Sequence, residues 1–395
     1  MPFPADLPFA FYAVVAFVFG LMVGSFLNVV IWRVPRGESI AFPGSHCGSC
    51  DAPVKPYDNI PLISYAVLGG KCRACKAKIS LIYPAVELLT GLLFLAVVWE
   101  SGPTWVAIAE MIFVALMVSL TFIDAKHKLL PNVITYPAFL FGITAVTTLA
   151  WWSVLIGTKP RDPAYHRFYG FQPEIDFAFF RPSVYGALLL ALAAPVFWVI
   201  DRLDDVLFGK YFEWTEDEKI EDEPPDLEKE RAAQRQHDRV VYGTMILGVV
   251  LAIAWAIKGY LLSTRGATGI ADIEGDAYDL AYSNLLRAWL GALVGGGIIW
   301  LLRAAYFYVR GFEGMGLGDV KLMAVIGAFL GWQSAILVIL VGSLLGSIIG
   351  VVLARKSDEG MKTALPYGVF LGPAAVFALF FGNSLVQWYA SKAFH

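Results

Sequence analysis

Charge is scarce in this chain. Asp, Glu, Lys and Arg make up 16% of its 395 residues, against 58% hydrophobic. A soluble domain carries about 25% charged and 45–50% apolar residues. The deficit excludes an ordinary water-soluble globule, because the apolar residues gather in runs of roughly 20, the length that crosses a bilayer core. No Lys or Arg precedes Arg33, and a cleavable signal peptide needs a basic leading region. The first apolar run, 9–32, is followed instead by Arg33 and Arg36. It reads as a retained helix with its N-terminus outside and its far end in the cytoplasm. Histidine is rare too: His46, His127, His166, His237 and His395 all lie outside the apolar runs. Neither HExxH nor GxSxG occurs, which removes zinc-protease and serine-hydrolase readings. No glycine-rich loop follows a strand, so no dinucleotide-type cradle is present. The four cysteines all fall between Cys47 and Cys75. In a cytoplasmic loop, that pattern points to a metal site and away from disulfides.

What is present is a succession of apolar runs at 9–32, 82–99, 104–123, 133–152, 183–200, 241–262, 285–309, a short one at 320–331, then 333–353 and 366–389. The expected fold is therefore all-α and polytopic, with about ten membrane segments and a small cytoplasmic four-cysteine loop domain after the first. Five parts follow: 1–32 is the first helix, 33–80 the cysteine domain, and 81–152 the next three helices. The stretch 153–284 holds two further helices, and 285–395 the C-terminal helices. Arg33, Arg36, Lys55, Lys71, Arg73, Lys76 and Lys78 mark the 33–80 loop as cytoplasmic, and Lys126 and Lys128 do the same one turn later. The loop 152–182, with Lys159, Arg161, Arg167 and Arg181, fits its outward assignment poorly. The acidic stretch 201–240 reads as a solvated spacer or a docking surface. The loops 152–182 and 263–284 are expected to be irregular.

Cys47-x2-Cys50 and Cys72-x2-Cys75 form two paired knuckles, and four thiolates at this spacing can close a tetrahedron around a structural zinc. The loop has few apolar residues to bury, so the metal would fold it. His46 reads as a plain loop residue.

Counting helices brings two carboxylates together. Asp124 ends the third run and Asp319 follows the seventh, so both reach the cytoplasmic face at one depth. Either alone could be a helix-end residue in water, and Asp319 could cap the helix after it. The glycines at 314, 316 and 318 let the backbone before Asp319 bend and approach closely. Two carboxyls a few ångström apart share one proton, so that one takes a proton from water while the other polarises a carbonyl. Glu110 lies about 20 Å from Asp124 along its helix, in the opposite leaflet. Glu87 sits at cytoplasmic depth, where it either lines the site or caps its helix. Ser25 and Asn28 read as small polar packing residues. A proton-coupled transporter would also use paired carboxylates, but at the midplane. A membrane adaptor built around the metal would leave the glycine run unexplained.

These motifs resemble the bacterial prepilin peptidases, the GxGD-type membrane aspartyl proteases. Gly24-Ser25-Phe26-Leu27-Asn28 with Arg33, the two CxxC units, Tyr83-Pro84-x2-Glu87-Leu88, Ile123-Asp124, Leu130-Pro131, Gly314-Met315-Gly316-Leu317-Gly318-Asp319-Val320-Lys321, Pro366-Tyr367-Gly368 and Gly372-Pro373 carry the resemblance. It covers 1–150 and 285–390. It implies that Asp124 and Asp319 are the catalytic pair and that Gly316, Gly318 and Lys321 belong to the active-site loop. It implies cleavage of the leader of type IV prepilins and type II secretion pseudopilins at the cytoplasmic face of the bacterial inner membrane. It also implies N-methylation of the new N-terminus from S-adenosylmethionine, at a site no residue here identifies. Membrane lipids would surround the chain, and no nucleic-acid partner is expected. Two departures stand out. The family usually carries aspartate after Leu-Pro, where this chain has Asn132, and about 130 residues over 153–284 are extra.

Overall fold

The computed structural model describes residues 7–155, 182–193, 195–202, 239–240, 243–244, 246–258, 269–310, 315–354 and 366–393. The described helices are α1 (Phe9–Arg33), the short α2 (Ile63–Val67), α3 (Ile82–Ser101), α4 (Trp105–His127), α5 (Asn132–Leu155) and α6 (Pro182–Ala193). A helical stretch over 196–202 follows. Then come α7 (Ile246–Lys258), α8 (Gly269–Arg310), α9 (Leu317–Ala354) and α10 (Gly368–Ala393). Among the described residues seven helices are long and apolar enough to cross a membrane, and α7 is a shorter apolar helix. No strand occurs among them.

The chain breaks its helices where its residues dictate. Thr104 accepts the N–H of Ala107 at 3.1 Å and so caps α4. Lys128 ends α4 in the left-handed region, at φ 53°, and Pro131 lets the next helix begin at once. Inside α9, Gly331 takes φ 79° and ψ 170°, a conformation that costs glycine little. The break divides α9 much as the expected runs 320–331 and 333–353 divide it. The apolar residues Val14, Val15, Val18, Phe19 and Met22 of α1 are exposed, as a lipid-facing surface requires. The core lies where α4, α5, α8, α9 and α10 meet. Phe329 stacks at 4.9 Å from Phe113 and presses into the notch of Gly142, where a Cβ would stand 2.7 Å from its ring. Gly291 of α8 faces Gly327 of α9 so closely that a Cβ on either would collide with the other's backbone.

One expectation is corrected. The described part of the stretch 263–284 is not irregular: α8 runs unbroken from Gly269 to Arg310. Apolar patterning starts only where lipid starts, and a helix continues past that point when its backbone bonds are already in place. The rest of 153–284, including nearly all of the acidic stretch 201–240, lies outside the described residues.

Candidate active site

Asp124 lies in the last turn of α4 and Asp319 in the first turn of α9, and both are buried. The start of α10 lies over the pair. A Cβ built on Gly368 would stand 2.7 Å from Asp124 Oδ2 and 3.4 Å from Asp319 Oδ1. The two oxygens therefore lie within about 6 Å of each other, the sum of those distances. The backbone N–H of Gly368 faces both carboxylates, and that of Val369 faces Asp124. Asp124 Oδ2 is buried and has no hydrogen-bond partner in the protein, so it is open to a water or a substrate group. The structure thus brings together the two acids that the sequence singles out.

Of the glycine segment, Gly316 and Gly318 are described and Gly314 lies outside the described residues. Asp319 N–H donates to the Gly316 carbonyl at 3.2 Å, closing the turn that starts α9. A Cβ on Gly318 would meet Leu130 Cβ at 3.0 Å, so the Leu130-Pro131 segment packs directly on the glycine run. Around Gly316 the space is open. Lys321 does not point at the dyad. It is buried, and its Nζ donates to Asn132 Oδ1 at 2.8 Å. Two residues apart on a helix, Asp319 and Lys321 face opposite ways.

Thr121 and Arg303 have no advance signal in the sequence, and the contacts of Gly372, Glu87 and Asn28 are not legible there. Gly372 brings α10 against Thr121 of α4, where a Cβ would collide with Thr121 Oγ1. Arg303 of α8 is buried and donates from Nε to the Met315 carbonyl at 3.2 Å, holding the segment before Asp319. A lone Arg in an apolar run names no partner. Glu87 does not line the dyad: it accepts the Leu62 N–H at 2.9 Å and faces Ser25, tying the cysteine domain to α1 and α3. Asn28 Nδ2 likewise donates to the Tyr83 carbonyl at 3.0 Å. Glu110 pairs with Ser101 at the opposite end of α4, away from the dyad.

The cysteine domain is two copies of one knuckle. Cys47 N–H donates to the Ala52 carbonyl at 2.9 Å and Cys72 N–H to Ala77 at 2.8 Å. Asp51 and Lys76 both take positive φ, 54° and 60°. Bridges join His46 to Pro53 and Lys71 to Lys78. The four Sγ atoms lie within 4.8 Å of one another, and Cys47 Sγ stands 3.8 Å from Cys75 Sγ. A tetrahedron with Zn–S bonds of about 2.3 Å has edges of about 3.8 Å, so the donor set fits a metal ion. The backbone N–H groups of Cys75 and Ala74 draw the Cys72 thiol down to about 6. Although the Ala52 N–H faces Cys50, its sulfur neighbours, Cys75 first, push that thiol up to about 12. Such crowding favours a cation among the sulfurs. Beside the knuckles, Arg73 grips Asp58 through two bonds of 2.8 and 2.6 Å, which holds the Asp58 carboxyl below its ordinary value.

Comparison with known proteins agrees with this geometry. Residues 18–101 match the bacterial peptidase A24 N-terminal domain, and residues 235–351, which include Asp319, match the type IV leader peptidase family. Asp124 lies between the two matches, but longer alignments include it. A prepilin leader peptidase/N-methyltransferase of Pseudomonas aeruginosa is 28% identical over 98% of this chain and 97% of its own length. One of Aeromonas salmonicida is 27% identical over 98% and 96%. One of Myxococcus xanthus is 49% identical over 33% and 39%. No solved structure matches. With two buried aspartates meeting under Gly368, a four-cysteine cluster after the first helix and near full-length likeness to named relatives, this multi-pass membrane protein belongs to the type IV leader peptidase family.

Proposed function

We propose that the chain is a membrane aspartyl endopeptidase that removes the leader of type IV prepilins and pseudopilins and methylates the new N-terminus. The observation that carries this is the meeting of Asp124 and Asp319 beneath one glycine. In the proposed mechanism the two carboxyls hold one proton between them. The ionised carboxylate takes a proton from an attacking water, and the protonated one donates to the oxygen of the scissile carbonyl. As the tetrahedral diol collapses, the first carboxyl gives its proton to the leaving amine, the C–N bond breaks, and a hydroxyl of the diol returns a proton to the second carboxylate, so that the pair again holds one proton. Burial strengthens each of these contacts. The positive-inside pattern supports a cytoplasmic active site in the bacterial inner membrane with the N-terminus outside.

The four cysteines would hold a structural zinc, whose part is to fold the loop. Methylation would draw on S-adenosylmethionine. The described residues contain no strand–turn–helix cradle for it, and its site is unassigned. Nothing in the site or the comparisons favours a transporter.

The test is incubation of the purified wild type, Asp124→Ala and Asp319→Ala with a type IV prepilin and S-adenosylmethionine, followed by mass spectrometry. Wild type should release the leader and leave a product heavier by one CH2. Either variant should leave the substrate intact while keeping its fold. Cleavage at the wild-type rate by either variant rules out the dyad.

A further inference from the structure

The extra segment 153–284 sends one carboxylate back to the catalytic helix. Phe197, in the helical stretch 196–202, is buried against Tyr136 at 5.3 Å and Phe139 at 4.7 Å. Asp201 lies four residues on, hence on the same helical face. That seat puts Asp201 over the start of α5 and α9. Its Oδ2 accepts the Tyr136 hydroxyl at 2.7 Å, and its Oδ1 forms an ion pair with Lys321 Nζ. Lys321 also donates to Asn132 Oδ1 and lies 5.6 Å from the Tyr136 ring centre. Its side chain is 5% exposed, against 28% for Asp201.

A buried ammonium needs a counter-charge as well as hydrogen bonds. Asn132 supplies an oxygen without charge. We propose that Asp201, carried in by the insertion, supplies the negative charge that Asn132 lacks, and so makes the inserted segment a working part of the peptidase centre. Asp201 is a positioning residue. It acts through Lys321, which pins one side of the first turn of α9 while Asp319 faces Asp124 from the other. This inference rests on the peptidase reading.

The experiment moves the charge. Full-length wild type, Asp201→Asn, and the double variant Asp201→Asn/Asn132→Asp are purified, and kcat and KM for cleavage of one type IV prepilin are measured. Asp201→Asn keeps the shape and the Tyr136 bond and removes the charge. Its kcat should fall about 10²-fold, the loss that a misplacement of about 1 Å produces, with KM within about twofold of wild type. The double variant, with the carboxylate moved to Asn132's place, should recover kcat to within about threefold of wild type. A purely structural role would not be rescued by a charge at a different position in the chain. Wild-type kcat in Asp201→Asn, or a double variant no better than the single one, overturns the proposal. Should Asp201→Asn fail to fold, the double variant decides alone: folded and active supports the proposal, and inactive or unfolded overturns it. Failure of wild type itself to cleave refutes the peptidase reading, an outcome distinct from all of these.

Discussion

Gly368 is the position where one added carbon should do the most damage. Gly368→Ala leaves the backbone N–H in place, so the donor facing both carboxylates is retained. The new Cβ would stand 2.7 Å from Asp124 Oδ2 and 3.1 Å from its Cγ. Non-bonded carbon and oxygen settle at about 3.5 Å, so either the carboxylate or the start of α10 must retreat by roughly 0.8 Å. Retreat of α10 is resisted one turn on, where Gly372 already packs on Thr121. The carboxylate is the softer partner, and its displacement spoils the shared water site. A shift of this size should lower kcat about 10²-fold, with an overpacking penalty of about 1–3 kcal/mol in stability. The assay is prepilin cleavage at saturating and limiting substrate, with thermal unfolding measured in the same detergent. KM should change little, because the alanine faces the acids and not the leader. A variant that keeps kcat within about threefold of wild type, while remaining folded, would show that the dyad tolerates a methyl between its members and that the geometry is not catalytic.

Purified protein should carry one zinc ion per chain by elemental analysis, and Cys72→Ser should lose it and expose the 46–80 loop to protease; full metal retention would refute the four-sulfur site. Asp58→Asn should also speed proteolysis of that loop at neutral pH. Because Arg73 holds the Asp58 carboxyl below its ordinary value, the contribution is present above about pH 4 and fades as pH falls below that. Wild type and Asp58→Asn should therefore converge in acid, and a gap that widens there would contradict the pairing. Arg303→Leu should leave the chain in the membrane but lower kcat, because the Met315 carbonyl loses its buried donor; unchanged kcat would assign Arg303 to packing alone.

The sequence singles out the two acids because side-chain chemistry and expected helix count act together: three apolar runs precede Asp124 and four lie between it and Asp319, an even number that is expected to return the chain to one face. It reveals the knuckles because the CxxC spacing is itself the geometry. Contacts that depend on close approach are not legible. Pro366-Tyr367-Gly368 stands out as a motif but does not say that carboxylates lie beside Gly368, and Asp201 looks like the first residue of an acidic spacer. The resemblance puts Lys321 in the active-site loop, yet two residues from Asp319 on one helix it faces the other way. The start of α8 at Gly269 was hidden for a different reason, since hydropathy reports the solvent around a helix and not the helix.

The electrostatics of the site explain why it lies at helix ends. Asp124 sits in the last turn of α4, where the peptide dipoles disfavour negative charge. A carboxylate there needs compensation from other elements. It comes from the N-terminal turns of α9 and α10, whose unpaired N–H groups carry partial positive charge: Asp319 occupies the first turn of α9, and the N–H groups of Gly368 and Val369 face Asp124. Two helix starts thus converge on two acids, and among the described residues no cationic side chain is found between them. A lysine or arginine in that place would hold both carboxylates ionised and leave no proton to share. Backbone dipoles stabilise one negative charge without neutralising two, which is the condition a proton-sharing pair requires. The nearby cation, Lys321, is instead turned outward and engaged by Asp201 and Asn132, close enough to fix the helix and directed away from the dyad.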